Sequence, residues 1–300
     1  FFGAAFFWLF LWKYFRFMKK VKAWFAAARL RTLPLSVAGI IVGTSMAETQ
    51  FYSTTLFWLA IGATIGFQVL SNFANDYGDG IRGTDHKRQG EARMVASGRI
   101  TPNEMKVGMF IVGGITFLIA SLLIFRAFGY EHLFIAFIFF NLTLLAIIAA
   151  VRYTVGKKAY GYSGWGDVFV FLFFGLLSVL GSYFLFAKSL TWLSFLPAVT
   201  IGCFSTAVLN LNNLRDIHSD AAVGKNTLVV KMGFEKAKRY HAFLLLFGMV
   251  SAVVYAVLTN ESIIGWLFVV AFLPLLWNLK TVFQNTKPSL LDGQLKVVAL

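Results

Sequence analysis

Charge is what this 300-residue chain has least of. Charged residues make up 13% of it, against about 25% in soluble domains, which excludes an ordinary water-facing globule. Acids are scarcer than bases: 13 Asp and Glu stand against 27 Lys and Arg, a net charge of +14. A single cysteine, Cys203, excludes an internal disulfide framework and any multi-cysteine metal site. The four histidines, His86, His132, His218 and His241, are scattered and lack zinc-binding spacing.

What fills the chain instead is apolar. Hydrophobic residues reach 58%, aromatics 17%, and the mean hydropathy is +0.73. Eight spans of roughly 20 residues would use about 160 of them, so the composition predicts an all-α, polytopic transmembrane bundle. Apolar runs place the spans at 33–50, 55–74, 107–125, 131–151, 167–187, 190–211, 240–259 and 262–279. A ninth stretch starts near Leu291 and reaches only Leu300, an incomplete span. Residues 1–32 read as a separate N-terminal segment ahead of a membrane domain over 33–300. Phe1–Trp12 is too short to cross and has no signal-peptide cleavage pattern, while 13–32 mixes Lys and Arg with Phe and Trp, as an interfacial helix does.

The bases are placed with a bias. All but Arg126 and Lys188 of the 27 Lys and Arg fall in 13–32 and in alternate connections on one side of the predicted bundle. That asymmetry predicts those connections to be cytoplasmic. It also accounts for the positive charge without a nucleic-acid partner; the partner is the lipid bilayer. Two of these basic connections, 75–106 and 212–239, are long without being low in complexity, which favours a functional role. They follow spans two and six, suggesting a weak repeat of four-helix units.

Both contain acids in the same setting. The first reads N75-D-Y-G-D-G-I-R-G-T-D85 and the second N212-N-L-R-D-I-H-S-D220. On continuing helices Asp76 and Asp79, and Asp216 and Asp220, would each share a face. Asn72 and Asn75, and Asn212 and Asn213, precede the acids by about one turn. Carboxylates with carboxamides form an oxygen-only ligand set, the kind Mg²⁺ prefers. Arg82, Lys87, Arg88, Arg93, Arg215, Lys225 and Lys231 supply cations for oxyanions, so together the loops suggest a metal–diphosphate site. Gln68 and Asn210 inside spans should face a cavity or a neighbouring helix. Such a mouth on an apolar bundle suits a substrate with an ionic head and a lipid tail, such as an isoprenyl diphosphate.

These blocks, with Y153-T-V-G-K-K-A-Y-G-Y162, G166-D167, G224-K-N-T-L228 and the RLRTLP stretch from Arg29 to Pro34, resemble the UbiA superfamily of intramembrane prenyltransferases. The text is most similar to its 1,4-dihydroxy-2-naphthoate polyprenyltransferase branch. The resemblance implies a nine-helix fold and a Mg²⁺-dependent transfer of a polyprenyl group from polyprenyl diphosphate to 1,4-dihydroxy-2-naphthoate, with decarboxylation. It also implies residue roles. Asn75, Asp76 and Asp79 would form the first Mg²⁺–diphosphate motif and Asp216 and Asp220 the second. Arg93 and Lys225 would contact diphosphate, and Tyr153 and Thr154 would approach the reacting centre. Asn72 and Asn212 would assist substrate binding, and Arg29, Arg31 or Lys157 would hold the acceptor carboxylate. This chain departs from the superfamily pattern at Gly83, where Asp85 is the shifted ligand candidate, at Ala221 in place of Arg, and at Leu30 in place of Pro.

Three other readings remain open. Another aromatic acceptor such as 4-hydroxybenzoate, or phytyl transfer, would use the same machinery. A CDP-alcohol phosphotransferase would need a D-G-x-x-A-R-type block, whereas Asp79–Gly80 is followed by Ile81, Arg82 and Gly83. A cation transporter would place ionisable groups near the midplane, whereas these acids cluster at one membrane face.

Overall fold

A computed structural model describes residues 18–47, 50–83, 93–156, 159–259 and 262–299. It contains no strand among the described residues. Eight helices are long and apolar enough to cross a membrane: α1 (Met18–Ala47), α2 (Thr55–Arg82), α3 (Pro102–Phe128), α4 (Leu133–Arg152), α5 (Gly166–Ala187), α6 (Trp192–Arg215), α9 (Phe234–Leu258) and α10 (Ile263–Gln284). Three short helices complete the set: α7 (Ile217–Ala222), α8 (Leu228–Met232) and α11 (Asp292–Ala299). The fold class and the number of full spans agree with the sequence reading.

Several boundaries differ, each for a local reason. The first helix starts at least 15 residues before the predicted span and breaks where Arg29 takes a left-handed conformation, φ 47°. Its leading section, 18–28, is not simply surface-bound: Ala23, Ala27 and Ala28 are buried against Leu70, Phe73 and Met105. Spans two and six run on beyond the apolar stretch, so much of the predicted loops 75–106 and 212–239 is helical. At about 1.5 Å per residue, the 28-residue α2 is about 42 Å long, well over a hydrocarbon core of about 30 Å. It projects its acidic last turns beyond the membrane and stops at Gly83, φ 71°. The ninth stretch is the helix α11, packed on α6 with Leu291 and Val298 in the core.

Close packing near the centre depends on absent side chains. Gly39 and Gly43 lie one turn apart on α1 and face α5. A Cβ on Gly43 would collide with the Val179 carbonyl and the Ser182 hydroxyl. On the other side of α5, a Cβ on Gly175 would come within 2.5 Å of Gly202 Cα and 2.7 Å of the Ala198 carbonyl. Small residues let backbones approach where apolar lipid offers no hydrophobic drive for association. The α2–α3 and α6–α9 pairs occupy corresponding places in the two four-helix halves, and α1–α5 packing joins the halves. Gly175→Leu should therefore pry α5 from α6 and cost about 1–3 kcal/mol, read as a lowered unfolding temperature of the detergent-solubilised protein.

Candidate active site

The helical course of α2 decides the first half of the site. Gln68, Asn72, Asn75, Asp76 and Asp79 recur at three- and four-residue intervals, so they share one face. The structure gives each a different task. Gln68 accepts from Ser36 at 2.7 Å and donates to Thr32 Oγ1 at 3.0 Å. Asn72 donates to the Ala28 carbonyl at 2.8 Å, so both amides hold the break in α1. Asp76, 1% exposed, accepts from the backbone N–H groups of Met94 and Val95 at 2.9 and 2.8 Å. Both its oxygens thus anchor the returning chain that carries Arg93. Asp79 accepts from the Tyr162 hydroxyl at 2.7 Å and lies 3.6 Å from the Arg93 guanidinium.

Thr154 also has a structural position. It is buried, donating to the Ala74 carbonyl at 2.8 Å and to Asn75 Oδ1 at 3.2 Å. Gly78 makes this docking possible, because a Cβ there would come within 2.7 Å of the Thr154 carbonyl. The sequence expectation that Thr154 approaches the reacting centre is corrected in geometry: it orients Asn75, and Tyr153 is the neighbour that lines the cavity.

In the second half, α6 ends at Arg215 and Asp216 caps it, with the Asp220 N–H bonded to the Asp216 carbonyl at 2.8 Å. Arg215 is the hub. Its Nε and Nη2 each donate to an oxygen of Asp216 at 2.7 Å; Nη2 also reaches Asn212 and Nη1 reaches Asp292, both at 2.7 Å. Lys225 Nζ lies 3.4 Å from Asp220. Asn210 points to α9, where it donates to the Ala237 carbonyl at 3.1 Å, so it joins helices rather than facing the cavity.

Tyr162 brings the two acidic blocks together. Its hydroxyl holds Asp79, its carbonyl accepts from Asn226 N at 3.0 Å, and the Arg82 guanidinium stacks 4.1 Å from its ring centre. Lys225 lies 5.7 Å from the same ring centre. Tyr153 sits between the blocks: burial, then the fields of Asp167, Tyr160, Asp79 and Asp220, push its hydroxyl far above the usual phenol range. It stays protonated. Sequence reasoning missed Tyr162, Asp292 and Lys296 as site residues; Tyr162 lay within a stretch carrying the family resemblance, but nothing near Asp292 signalled its contact with Arg215. Asp85 and Lys157 fall outside the described residues.

A cavity of about 670 Å³ opens among these groups. Arg29, Arg31, Asn72, Asn75, Arg93, Tyr153, Asn212, Arg215 and Lys296 line its polar end. Ile40, Ala60, Ala63, Leu123, Ile124, Phe139, Phe173 and Leu177 line the remainder. The fifteen residues from Asn75 to Ala60 make it about 22 Å deep along α2.

The donor atoms near its mouth are oxygens, with the carboxylates of Asp79, Asp216 and Asp220 4–7% exposed and each beside a base. Among the described residues no three His, Cys, Asp or Glu side chains gather into a self-sufficient metal cage. The paired oxygen donors are of the kind that binds Mg²⁺ through one or two carboxylates together with substrate phosphates.

Residues 36–290 match the model of the UbiA prenyltransferase family. The chain belongs to this family. It is 43% identical over 275 residues to 1,4-dihydroxy-2-naphthoate octaprenyltransferase of Haemophilus influenzae, covering 90% of this chain and 89% of the relative. It is 42% identical over 273 residues to the Escherichia coli enzyme of the same name, with 90% and 88% covered. A solved UbiA homolog from Archaeoglobus fulgidus bound to GPP and Mg²⁺ shares its fold, with a TM-score of 0.61, 15% identity and 95% of each chain covered. In this prenyltransferase, Tyr162→Phe should remove a hydrogen bond to a carboxylate worth about 1.5 kcal/mol. It should raise KM for a prenyl diphosphate about tenfold while the folded yield is kept, measured by steady-state kinetics.

Proposed function

We propose that this protein transfers a polyprenyl group from polyprenyl diphosphate to 1,4-dihydroxy-2-naphthoate, releasing CO₂ and diphosphate to give demethylmenaquinol. The observation that carries this reading is a cavity that is cationic and amide-rich near the acidic blocks and aliphatic and aromatic beyond them. An ionic head and a lipid tail fit it in one orientation. The naphthoate-specific names of the 43% and 42% identical relatives favour that acceptor over 4-hydroxybenzoate.

Asp79, Asp216 and Asp220, with Asn75 and Asn212, would hold Mg²⁺, which when bound neutralises charge on the leaving diphosphate. Asp76 keeps the loop bearing Arg93 in place, so that Arg93 and Lys225 can donate to phosphate oxygens. Tyr153, protonated at the junction of head and tail, offers a hydroxyl to the departing oxygen. As the allylic C–O bond breaks, the aromatic side chains of Phe173 and Phe174, which line the cavity, would exclude water and stabilise the cationic carbon. The electron-rich naphthoate ring, held through its carboxylate by Arg29 or Arg31 at the break in α1, forms the new C–C bond. Loss of the carboxylate as CO₂ and tautomerisation restore the aromatic quinol. We place the acidic blocks on the cytoplasmic side of a bacterial cytoplasmic membrane, where the basic connections would sit.

Purified protein supplied with Mg²⁺, a prenyl diphosphate and either dihydroxynaphthoate or hydroxybenzoate should yield only the decarboxylated naphthoate product by mass spectrometry. Exclusive hydroxybenzoate prenylation would overturn the acceptor assignment. Asp79→Asn and Asp216→Asn should each lower kcat/KM by about 100-fold or more; full Mg²⁺-dependent turnover in either would sink the roles given to the two blocks.

A further inference from the structure

The guanidinium of Arg215 stands between Asp216 and the cavity. Asn212, Arg215 and Asp292 line the open space, whereas Asp216 lies behind them, 4% exposed. Neighbours in sequence do not face each other along a continuous helix. Here α6 stops at Arg215, and Asp216 leaves helical geometry at φ −94°, ψ 7°, which lets the two side chains pair. The edge of the guanidinium bearing Nε and Nη2 takes both oxygens of Asp216, each at 2.7 Å. Nη1 donates to Asp292 Oδ1, also at 2.7 Å. One buried cation is thus shared between a buried acid and an acid whose side chain is 57% exposed.

Asp292 is presented from a fixed mount. It opens α11, whose Gln294 accepts from Asn278 of α10 at 2.9 Å. Asn278 Oδ1 in turn lies 2.9 Å from His241 Nε2 on α9. His241 and Asn278 are fully buried, and Leu291 and Val298 pack in the core on either side of Gln294. A divalent ion on Asp216 could not share this arrangement unchanged. Both carboxylate oxygens are committed to Arg215, and like charges a few ångströms apart repel strongly where water is scarce.

We propose that Arg215 is a diphosphate-binding residue that neutralises Asp216 before substrate enters and exchanges it for phosphate oxygens afterwards, with Asp292 the partner it keeps throughout. Pivoting about the Nη1–Asp292 contact turns the Nε–Nη2 edge from one oxyanion to another, and that edge matches phosphate as well as carboxylate. Asp292 is a positioning residue, acting through Arg215. The inference rests on the prenyl-transfer reading and adds to it a change of partner at the second acidic block. Arg215 then works against the metal alone and in favour of diphosphate, whereas a residue that only braced Asp216 would work in favour of both.

The test measures two equilibria on the full chain in lipid nanodiscs without acceptor. Mn²⁺ binding alone is read from the paramagnetic resonance of the free ion, and inorganic diphosphate binding at saturating Mn²⁺ by calorimetry. Arg215→Gln should tighten Mn²⁺ binding about fivefold and weaken diphosphate binding about tenfold. Asp292→Asn leaves Arg215 on Asp216, so it should weaken both about threefold and change neither in the Arg215→Gln background. Weaker Mn²⁺ binding in Arg215→Gln would overturn the proposal. So would tighter diphosphate binding in Asp292→Asn, or an equal effect of that change with and without Arg215, since either describes an acid acting by its charge alone. Should Arg215→Gln not fold, Arg215→Lys, which lacks the two-pronged edge, carries the same opposed expectations. Wild-type protein that binds Mn²⁺ and diphosphate yet prenylates neither dihydroxynaphthoate nor hydroxybenzoate would refute the prenyl-transfer reading and leave the exchange at Arg215 standing. Wild-type protein that binds no Mn²⁺ would overturn both.

Discussion

Bringing several carboxylates together where little water reaches is the constraint that organises the polar end of this molecule. Buried charge is tolerated only when paired and hydrogen-bonded, and each acid meets the requirement differently. Asp76 uses two backbone amides, Asp79 uses Tyr162 and Arg93, Asp216 accepts from Nε and Nη2 along one edge of the Arg215 guanidinium, and Asp220 lies beside Lys225. Satisfying these demands draws in residues from α2, the return loop at Arg93, the turn at Tyr162, α6 and α11. The site is the place where those separate segments are obliged to meet.

The cavity follows from the opposite demand at the other end. Away from the acids, helices are close where glycine permits it and apart where aromatic and aliphatic side chains intervene. Gly43 against Val179 and Gly175 against Gly202 hold α1, α5 and α6 together, while Phe173 and Leu177, near the same α5 segment, border open space. One helix thereby serves as both a packing core and a tunnel wall. Water exclusion in the tunnel and charge pairing at its mouth would serve complementary halves of the proposed prenyl transfer.

Much of this was legible in the chain. The spans could be read because apolar run length is a local property, and the shared face of Asp76 and Asp79 because helix periodicity is local too. Other features were misplaced for one common reason. Thr154 looked like a reacting-centre residue, yet its hydroxyl is taken by Ala74 and Asn75, which lie far away in sequence. Asn210 could face a cavity or a neighbouring helix by its sequence, and the carbonyl of Ala237 decides for the helix. Span one looked as if it began at Leu33, because a charged segment that packs through its alanines has no apolar run to reveal it.

The amino-acid sequence by itself determined that this is a multi-span helical membrane protein, that its bases lie mostly to one side, and that two acidic blocks recur one four-helix unit apart. Those properties are written in composition and in spacings of three or four residues. Only tertiary structure decided that Asp76 anchors a loop, that Tyr162 holds Asp79, that Arg215 is shared with Asp292, and that Lys188 ties the ends of α3 and α5. Each of those outcomes is a contest for hydrogen-bond partners among groups distant in sequence, and a local pattern cannot say which partner wins.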